Sequence, residues 1–326
     1  MARVALVLGS GGARGYAHLG AHQELQARGH EVVAVSGTSM GAVVGGLIAA
    51  GRTEEYAAWV ATLPRRRVVA LAQPTLAGGG AATAERLMTA LEDLLGDVAI
   101  EDLPIPYTAV ATDLVARREV WFQRGPLLPA IRASIAIPGL FTPAVVDGRV
   151  LVDGGLLNPL PLEPMASASA DFTLAVSLQG PRAPHEPTSP TRGFAVRPAG
   201  WAADLRRRLR RSETTTDEAE PSVVHDGPEG DVEPRALTEA ELADAEAREQ
   251  EAAIDVRPDL RTTEVIGMSF DAMQSLITRY RLAALPPDVL VTVPLSAART
   301  LDFHRAEELI ALGRRLTAGA LDAAGR

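Results

Sequence analysis

The sequence contains no cysteine and no lysine, and only 4% of its 326 residues are aromatic. Without cysteine, the protein has no disulfide, no thiolate nucleophile and no cysteine-ligated metal. Without lysine, it has no lysine-bearing phosphate loop, no Schiff-base lysine and no Ser-Lys dyad. All 32 basic residues are therefore arginines, which a coding bias explains without a functional cause.

Long apolar stretches are also missing. No segment approaches the roughly 18 uninterrupted apolar residues of a transmembrane helix. The apolar run 3–8 ends in a glycine loop, so it is too short for a signal-peptide core and predicts a buried strand. We therefore expect a soluble, cytoplasmic protein, and a hydrophobic content of 47% is enough for a sizeable core.

The net charge of −9 is concentrated in one segment. Between residues 213 and 251 there are 14 acidic residues and two arginines, so this segment carries −12 and the rest of the chain carries +3. The region 181–262 is rich in Pro, Ser, Thr and acidic residues and has no sustained apolar period. This composition predicts a disordered insertion between a core at 1–180 and its completion at 263–326. The sequence does not identify a protein partner for the acidic insertion.

A basic segment at 201–211 lies inside the predicted insertion. Trp201, Leu205 and Leu209 are spaced at helical intervals beside five arginines, which are Arg206, Arg207, Arg208, Arg210 and Arg211. One interpretation is a short amphipathic helix that makes weak peripheral contact with the inner membrane surface. The other is an intramolecular partner for the acidic tract, or a solvated run of charges. No pattern indicates a nucleic-acid partner.

Outside the insertion, strand-like and helix-like segments alternate. This order is typical of a parallel sheet covered by helices on both faces, so we predict an α/β protein with a three-layer α/β/α fold and a mainly parallel central sheet. The predicted strands are 3–8, 31–36, 107–114, 119–122, 172–178 and 289–294, and the predicted helices are 16–28, 40–50, 83–95, 263–281 and 302–318. In addition, Asp147-Gly148 between two short apolar runs predicts a two-residue β-hairpin turn.

A glycine loop follows the first predicted strand, with the sequence Gly9-Ser10-Gly11-Gly12-Ala13-Arg14-Gly15. Consecutive N–H groups at a helix N-terminus form an anion cradle, which suits a phosphate or the oxyanion of an acyl-transfer intermediate. A dinucleotide-binding loop needs glycine at its sixth position, where this loop has Arg14, and the second strand ends without an acidic residue. The loop therefore favours an oxyanion over NAD, and we expect no cofactor.

Ser39 is the candidate nucleophile. It lies between a predicted strand and a predicted helix, with Gly37 two residues before it and Gly41 two residues after it. A serine on such a sharp turn exposes its hydroxyl at a helix N-terminus, and a Cβ at either glycine position would collide with the neighbouring elements. The alternative is an ordinary hydroxyl in a glycine-rich turn.

Asp153-Gly154-Gly155 is a candidate partner for that serine, because it ends the strand after the predicted hairpin. A turn-capping Asp-Gly pair is the alternative interpretation, and Asp113 and Asp147 are expected to cap turns or close ion pairs. The six histidines are His18, His22, His30, His185, His225 and His304. None of them stands in a pattern typical of a catalytic base; His22 and His30 are expected on the surface, and His18 beside the glycine loop or in the core. A Ser-Asp dyad remains, and no spacing indicates a metal site.

Taken in order, the glycine loop with Arg14, the turn around Ser39 and the Asp153-Gly154-Gly155 turn resemble the patatin-like phospholipase family. The resemblance is strongest to its small bacterial branch related to neuropathy target esterase. Further similar segments are 111–114, 133–143, 158–161 and 302–313. The resemblance covers 1–180 and about 263–326, and it departs from the family pattern at Ser10, where the family usually has glycine.

This resemblance implies a serine acyl-hydrolase that cleaves carboxylic esters of phospholipids or lysophospholipids. The implied roles are Ser39 as nucleophile, Asp153 as proton acceptor, Gly11, Gly12 and Ala13 as oxyanion donors, and Arg14, followed by Gly15, as a brace for the loop or a group that faces a lipid phosphate.

Asp153 can act as a base only if its surroundings raise its proton affinity, since a free aspartate has a pKa of about 3.9. We therefore predict that Asp153 is buried, bonded to Ser39 and not paired with Arg14. Two other functions remain as alternatives. A non-catalytic acyl-lipid-binding or regulatory scaffold protein would use the acidic insertion to recruit a partner, while a nucleotide-dependent oxidoreductase is disfavoured by the glycine loop.

Overall fold

The computed structural model describes residues 1–61, 84–181 and 262–326. The strands are β1 (Arg3–Leu8), β2 (Glu31–Thr38), β3 (Tyr107–Asp113), β4 (Arg118–Phe122), β5 (Ala144–Val146), β6 (Arg149–Asp153), β7 (Phe172–Gly180) and β8 (Val289–Pro294). The helices are α1 (Tyr16–Ala27), α2 (Met40–Ala49), α3 (Thr53–Ala61), α4 (Ala84–Leu95), α5 (Leu127–Ser134), α6 (Thr262–Ala284) and α7 (Ala306–Ala323).

All eight strands belong to one sheet, whose hydrogen-bonded path is β5-β6-β3-β2-β1-β7-β8. Strands β2 and β6 pair with successive parts of one edge of β3, and β4 pairs with its other edge. The five strands β3, β2, β1, β7 and β8 are parallel, whereas β4, β5 and β6 pair in antiparallel fashion. The predicted α/β fold class with a mainly parallel sheet is confirmed. The antiparallel strands form one end of the sheet, where the predicted hairpin joins β5 to β6.

The two faces of the sheet are covered by different layers. On β1, Leu6 and Leu8 pack into the larger core, which also contains buried side chains of α1, α2 and α7. Ala5 and Val7 point to the opposite face and pack with Leu160, in a cluster that also includes the partly buried Leu282 and Leu285 at the end of α6. This alternation along one strand is the pattern of a sheet that is buried on both faces.

The neighbours of β1 determine where a site can form. The chain passes from β1 to β2 on one side, and β7 pairs with β1 on the other. Because β1 and β2 are parallel neighbours, the loops at their carboxyl ends lie at the same edge of the sheet. The glycine loop follows β1 and the turn at Ser39 follows β2, so both predicted motifs lie at this edge.

Most predicted elements agree with the structure to within a few residues. The second strand extends two residues further than predicted, to Thr38. The last helix begins at Ala306 rather than 302, after a separate 3-10 turn at Phe303–Arg305. Helices α3 and α5 are not among the predicted elements, since both are short, and Pro129 interrupts the helical signal in α5.

The predicted insertion at 181–262, including the basic segment with Trp201, lies almost entirely outside the described residues. After it, β8 pairs with β7 and α7 packs closely on α1, where a Cβ on Gly313 would lie 2.1 Å from the Ala17 carbonyl oxygen. Within the described ranges, no helix is both long enough and apolar enough to cross a membrane.

Candidate active site

Strand β3 brings Ser39 and Asp153 together. The last residue of β2, Thr38, pairs with Val110, and the last residue of β6, Asp153, pairs with the next residue, Ala111. Because β4 occupies the other edge of β3, β2 and β6 share one edge and run toward each other along it. Ser39 directly follows β2, and its Oγ donates a hydrogen bond of 2.5 Å to Asp153 Oδ2.

The backbone at Ser39 is strained, with φ 57° and ψ −123° immediately before α2. Non-glycine residues rarely adopt a positive φ, and such strain is concentrated at functional sites. The flanking glycines permit the turn, because a Cβ on Gly37 would lie 2.1 Å from the Gly41 carbonyl oxygen, and a Cβ on Gly41 would lie 2.1 Å from the Leu8 carbonyl oxygen. The Ser39 N–H donates to Ser134 Oγ at 2.9 Å, so a side chain of α5 also holds the turn.

Asp153 is 1% exposed. Burial raises the pKa of its carboxyl from 3.8 to about 7, although the hydrogen bonds from the Ser39 hydroxyl and the Gly155 N–H act in the opposite direction. The predicted burial of Asp153 and its bond to Ser39 are confirmed. Gly154 lets the chain leave β6 at this point, since a Cβ there would lie 2.1 Å from the Val110 carbonyl oxygen.

The glycine loop presents two free donors rather than three. Gly12 has a positive φ of 57° and begins a 3-10 turn that ends at Gly15. The Ala13 N–H donates to the Thr300 carbonyl at 2.9 Å, so the implied role of Ala13 as an oxyanion donor is wrong for this conformation. The N–H groups of Gly11 and Gly12 have no acceptor in the described part of the chain, as expected at the start of a helical turn.

Arg14 braces the glycine loop from below. It is 2% exposed, and its guanidinium donates to the Ala298 carbonyl at 3.2 Å and pairs with Asp271 of α6 at 3.4 Å. The alternative that Arg14 faces a lipid phosphate is contradicted by this burial. Gly15 lets the same loop approach Ser39, because a Cβ there would lie 2.2 Å from Cγ of Met40.

The histidines in the described part of the chain do not bond to Ser39. His18 is fully buried beside the glycine loop, with Nε2 2.8 Å from the Gly9 carbonyl oxygen, and burial lowers its pKa to about 4. His22 is buried too, four residues after His18 on the same side of α1, so its expected surface location is wrong, and burial lowers its pKa to about 4 as well. His185 and His225 lie outside the described residues.

The remaining acidic candidates have structural roles. Asp113 caps the turn after β3, accepting from the N–H groups of Val115 and Ala116, and Asp147 takes a positive φ of 49° in the β5–β6 hairpin. The predicted capping role is confirmed for Asp113; Asp147 lies in the predicted turn, and its capping role remains a prediction. Among the described residues, no group of three or more His, Asp or Glu side chains is placed to share a metal ion.

Sequence reasoning missed the polar contacts that α6 makes with the site. Gln274 Oε1 accepts from Ser10 Oγ at 3.1 Å and from Gln179 Nε2 at 2.7 Å. This bond explains why serine replaces glycine at position 10, where the backbone needs no positive φ. Gln274 lies 264 residues from Ser10, so no local sequence signal connects the two.

A second polar cluster holds the segment after Asp153. The backbone carbonyl oxygen of Asn158 accepts a hydrogen bond of 2.8 Å from Thr38 Oγ1, and its side-chain Nδ2 donates to Glu119 and Glu163. Both carboxylates pair with Arg281 of α6. The chain on either side of the Ser39–Asp153 pair is therefore held by one partly buried network that ends on α6.

Comparison with known proteins identifies the family. The model of the patatin-like phospholipase family matches residues 6–166. An uncharacterized NTE family protein of Mycobacterium tuberculosis is 45% identical over 98% of this chain and 92% of its own length. The neuropathy target esterase sws of Drosophila melanogaster is 32% identical over 54% of this chain and 13% of its own length, and a lysophospholipase of Mycosarcoma maydis is 33% identical over 63% and 11%. The resemblance found in the sequence is confirmed: the chain belongs to the patatin-like phospholipases, a family of lipid-ester hydrolases, in the branch related to neuropathy target esterase.

Proposed function

We propose that the protein is a serine acyl-hydrolase that cleaves carboxylic esters of phospholipids or lysophospholipids through a Ser39–Asp153 dyad. The observation that carries this proposal is the 2.5 Å hydrogen bond between the strained Ser39 and a buried carboxyl. Two relatives that are named as an esterase and a lysophospholipase support the substrate class.

In the proposed first step, Ser39 Oγ attacks the ester carbonyl carbon and its proton passes to Asp153 Oδ2. The oxyanion that forms accepts hydrogen bonds from the N–H groups of Gly11 and Gly12. The carbon–oxygen bond to the leaving alcohol then breaks, and the alcohol oxygen takes the proton from Asp153. The product at this stage is an acyl ester of Ser39.

The second step reverses these roles with water. Asp153 accepts a proton from water as the water oxygen attacks the acyl carbon, the same two N–H groups bind the second oxyanion, and the proton returns to Ser39 Oγ when the fatty acid leaves. A carboxyl with a pKa of about 7 suits both halves of this cycle, because it gains and loses a proton near neutral pH.

The strained turn favours this function over a non-catalytic acyl-lipid-binding or scaffold protein. A non-glycine residue held in an unfavourable backbone conformation costs of order 1–3 kcal/mol, and binding alone gives no reason to keep it. A cytoplasmic location and weak inner-membrane contact through Trp201, Leu205, Leu209 and the adjacent arginines remain predictions, since that segment lies outside the described residues.

Covalent labelling tests the proposal. Wild type should react with a fluorophosphonate probe and hydrolyse p-nitrophenyl butyrate, whereas Ser39→Ala should do neither. Asp153→Asn should keep its fold and lose most turnover. Ser36→Ala is the matched control, because Ser36 is a buried serine of the same strand whose hydroxyl bonds to the Pro161 carbonyl. Labelling that survives in Ser39→Ala would exclude Ser39 as the nucleophile.

A further inference from the structure

Helix α6 carries its polar side chains on the side that faces the protein. Asp271 pairs with Arg14, Gln274 bonds to Ser10, and Arg281 pairs with two carboxylates near β4. These residues lie on one side of the helix, at intervals of three and seven residues. The buried side of α6 therefore serves the site, in contrast to an ordinary surface helix, which buries an apolar stripe.

The opposite side of α6 is apolar and faces outward. Val265, Met268, Met273, Leu276 and Tyr280 are each at least 43% exposed. Their spacing places them within one face over about four helical turns, and we call this group the α6 stripe. Scattered apolar residues on a protein surface need no explanation, but a continuous stripe of large ones indicates a contact surface.

The helix that carries the α6 stripe packs on the site with its other side. The Gln274 amide, on the inner side of the helix, approaches Gly155 so closely that a Cβ there would lie 2.3 Å from Gln274 Nε2 and 3.0 Å from Asp153 Oδ1. The helix thus packs directly on the turn that carries Asp153 and on the glycine loop. Whatever contacts the outer side of α6 is separated from the site by a single helix.

The charge on the outer side of α6 favours an anionic surface. Among the described side chains of this helix, Arg279 is the exposed charged group, while Asp271 is partly buried against Arg14. Over the part of α6 whose side chains the structure describes, the apolar stripe thus lies beside an exposed arginine, which suits the interface of an anionic bilayer.

We infer that the α6 stripe docks the protein on a lipid bilayer, with the apolar side chains inserted at the boundary between headgroups and acyl chains. This inference rests on the proposed function, because an enzyme that takes lipid esters gains access to them when the helix that packs on its site lies on the bilayer. The occupant is the lipid surface itself rather than a protein partner.

Vesicle co-sedimentation tests the docking surface. The experiment uses full-length Ser39→Ala protein, so that hydrolysis cannot alter the vesicles, and vesicles of phosphatidylcholine with and without phosphatidylglycerol. Introducing Met268→Glu together with Leu276→Glu should weaken binding by more than roughly tenfold, since removing one large aliphatic side chain from an apolar contact is worth about a factor of ten. Val115→Glu with Val145→Glu is the matched control, at two exposed apolar positions on the hairpins, and should bind as the parent does.

A second variant guards against misfolding. Tyr280→Ser changes the most exposed member of the stripe, which is 70% exposed, and should also weaken binding while the thermal unfolding midpoint stays unchanged. When the stripe substitutions are made in wild type rather than in the Ser39→Ala protein, they should lower the rate of hydrolysis of esters in vesicles relative to the rate of hydrolysis of a soluble ester.

Several results would overturn the inference. Vesicle binding that is unchanged in both stripe variants would do so, as would an equal loss of vesicle binding in the Val115/Val145 control. Vesicle binding that only deletion of 199–211 abolishes, or a stable dimer that the stripe variants convert to a monomer, would also do so. The proposed function fails separately, if wild type neither reacts with the fluorophosphonate nor hydrolyses a soluble ester while the Ser39→Ala protein still binds vesicles through the stripe.

Discussion

Burial of the Asp153 carboxyl should lower the free energy of unfolding at neutral pH by an amount that its pKa determines. Burial raises the pKa of its carboxyl from 3.8 to about 7, and each tenfold change in proton affinity corresponds to about 1.4 kcal/mol. The folded protein therefore binds this proton about 4 kcal/mol more strongly than the unfolded chain does. Replacing Asp153 with asparagine keeps the shape of the side chain and removes the titration.

The raised pKa of Asp153 makes the stability of the folded protein depend on pH. Because the folded state binds the proton more strongly than the unfolded chain, the protonated carboxyl contributes stability that is complete below pH 3.8 and is lost as pH rises through 7. Wild type should thus lose stability relative to Asp153→Asn between pH 5 and pH 8, by about 2.5 kcal/mol, because most of the titration falls in this interval. The histidines are the same in both proteins, so their contributions cancel in the difference.

Urea denaturation followed by circular dichroism at pH 5 and pH 8 measures this difference. Asp153→Asn should be the more stable protein at pH 8 by a margin that narrows at pH 5, even though it loses turnover. Asp147→Asn, at the exposed hairpin turn, controls for the removal of one carboxylate. A stability gap between wild type and Asp153→Asn that is the same at both pH values would refute the assigned burial cost.

Asp153, Gly41 and His22 each give a further measurable outcome. Turnover of a soluble ester should increase as pH rises through about 7, as the Asp153 carboxyl loses its proton, and a flat pH–kcat profile from 5 to 9 would contradict its role as the base. Gly41→Ala should destabilise the fold by about 3 kcal/mol or more, since the added Cβ would lie 2.1 Å from a backbone oxygen. The control is Gly267→Ala, where the added Cβ meets open space on α6, and it should be neutral or stabilising by about 0.5–1 kcal/mol. Thermal unfolding of both variants measures the difference. Burial lowers the pKa values of His18 and His22 from 6.5 to about 4. Each histidine therefore contributes stability that is complete above pH 6.5 and is lost, up to about 3 kcal/mol, as pH falls to 4. His22→Gln should lose less unfolding free energy between pH 6.5 and 4.5 than wild type does, and an equal loss in both proteins would exclude His22 as a source of the pH dependence.

Local patterns in the sequence predicted the elements that carry the site. The turn at Ser39 and the hairpin at Asp147 are each specified by neighbouring residues, because glycine spacing and turn chemistry act over a few positions. The family resemblance followed from three such patterns in order. Those parts of the fold depend on short-range physics that one sequence displays directly.

Long-range contacts could not be predicted in this way. The Ala13 N–H is taken by Thr300, which lies 287 positions later in the chain, and no pattern near either residue indicates it. The burial of His22 depends on which side of α1 packs into the core, and the orientation of α6 depends on its contact with Arg14, so both follow only from tertiary packing. The helical period of α6 was visible, but periodicity does not reveal which side faces the protein when the buried side is polar.

The meeting of β2 and β6 on β3 has a consequence for how this protein tolerates change. The spacing between Ser39 and Asp153 is determined by one backbone step from Val110 to Ala111, and not by the length of any loop. Residues added between β7 and α6, where 81 residues of the chain already lie, leave that step untouched. A single-residue slip of β6 against β3, with β2 held in place, would instead separate the hydroxyl from the carboxyl by about the 3.3 Å rise of one strand residue. The chemistry is therefore protected against insertions in sequence and vulnerable to a change in register.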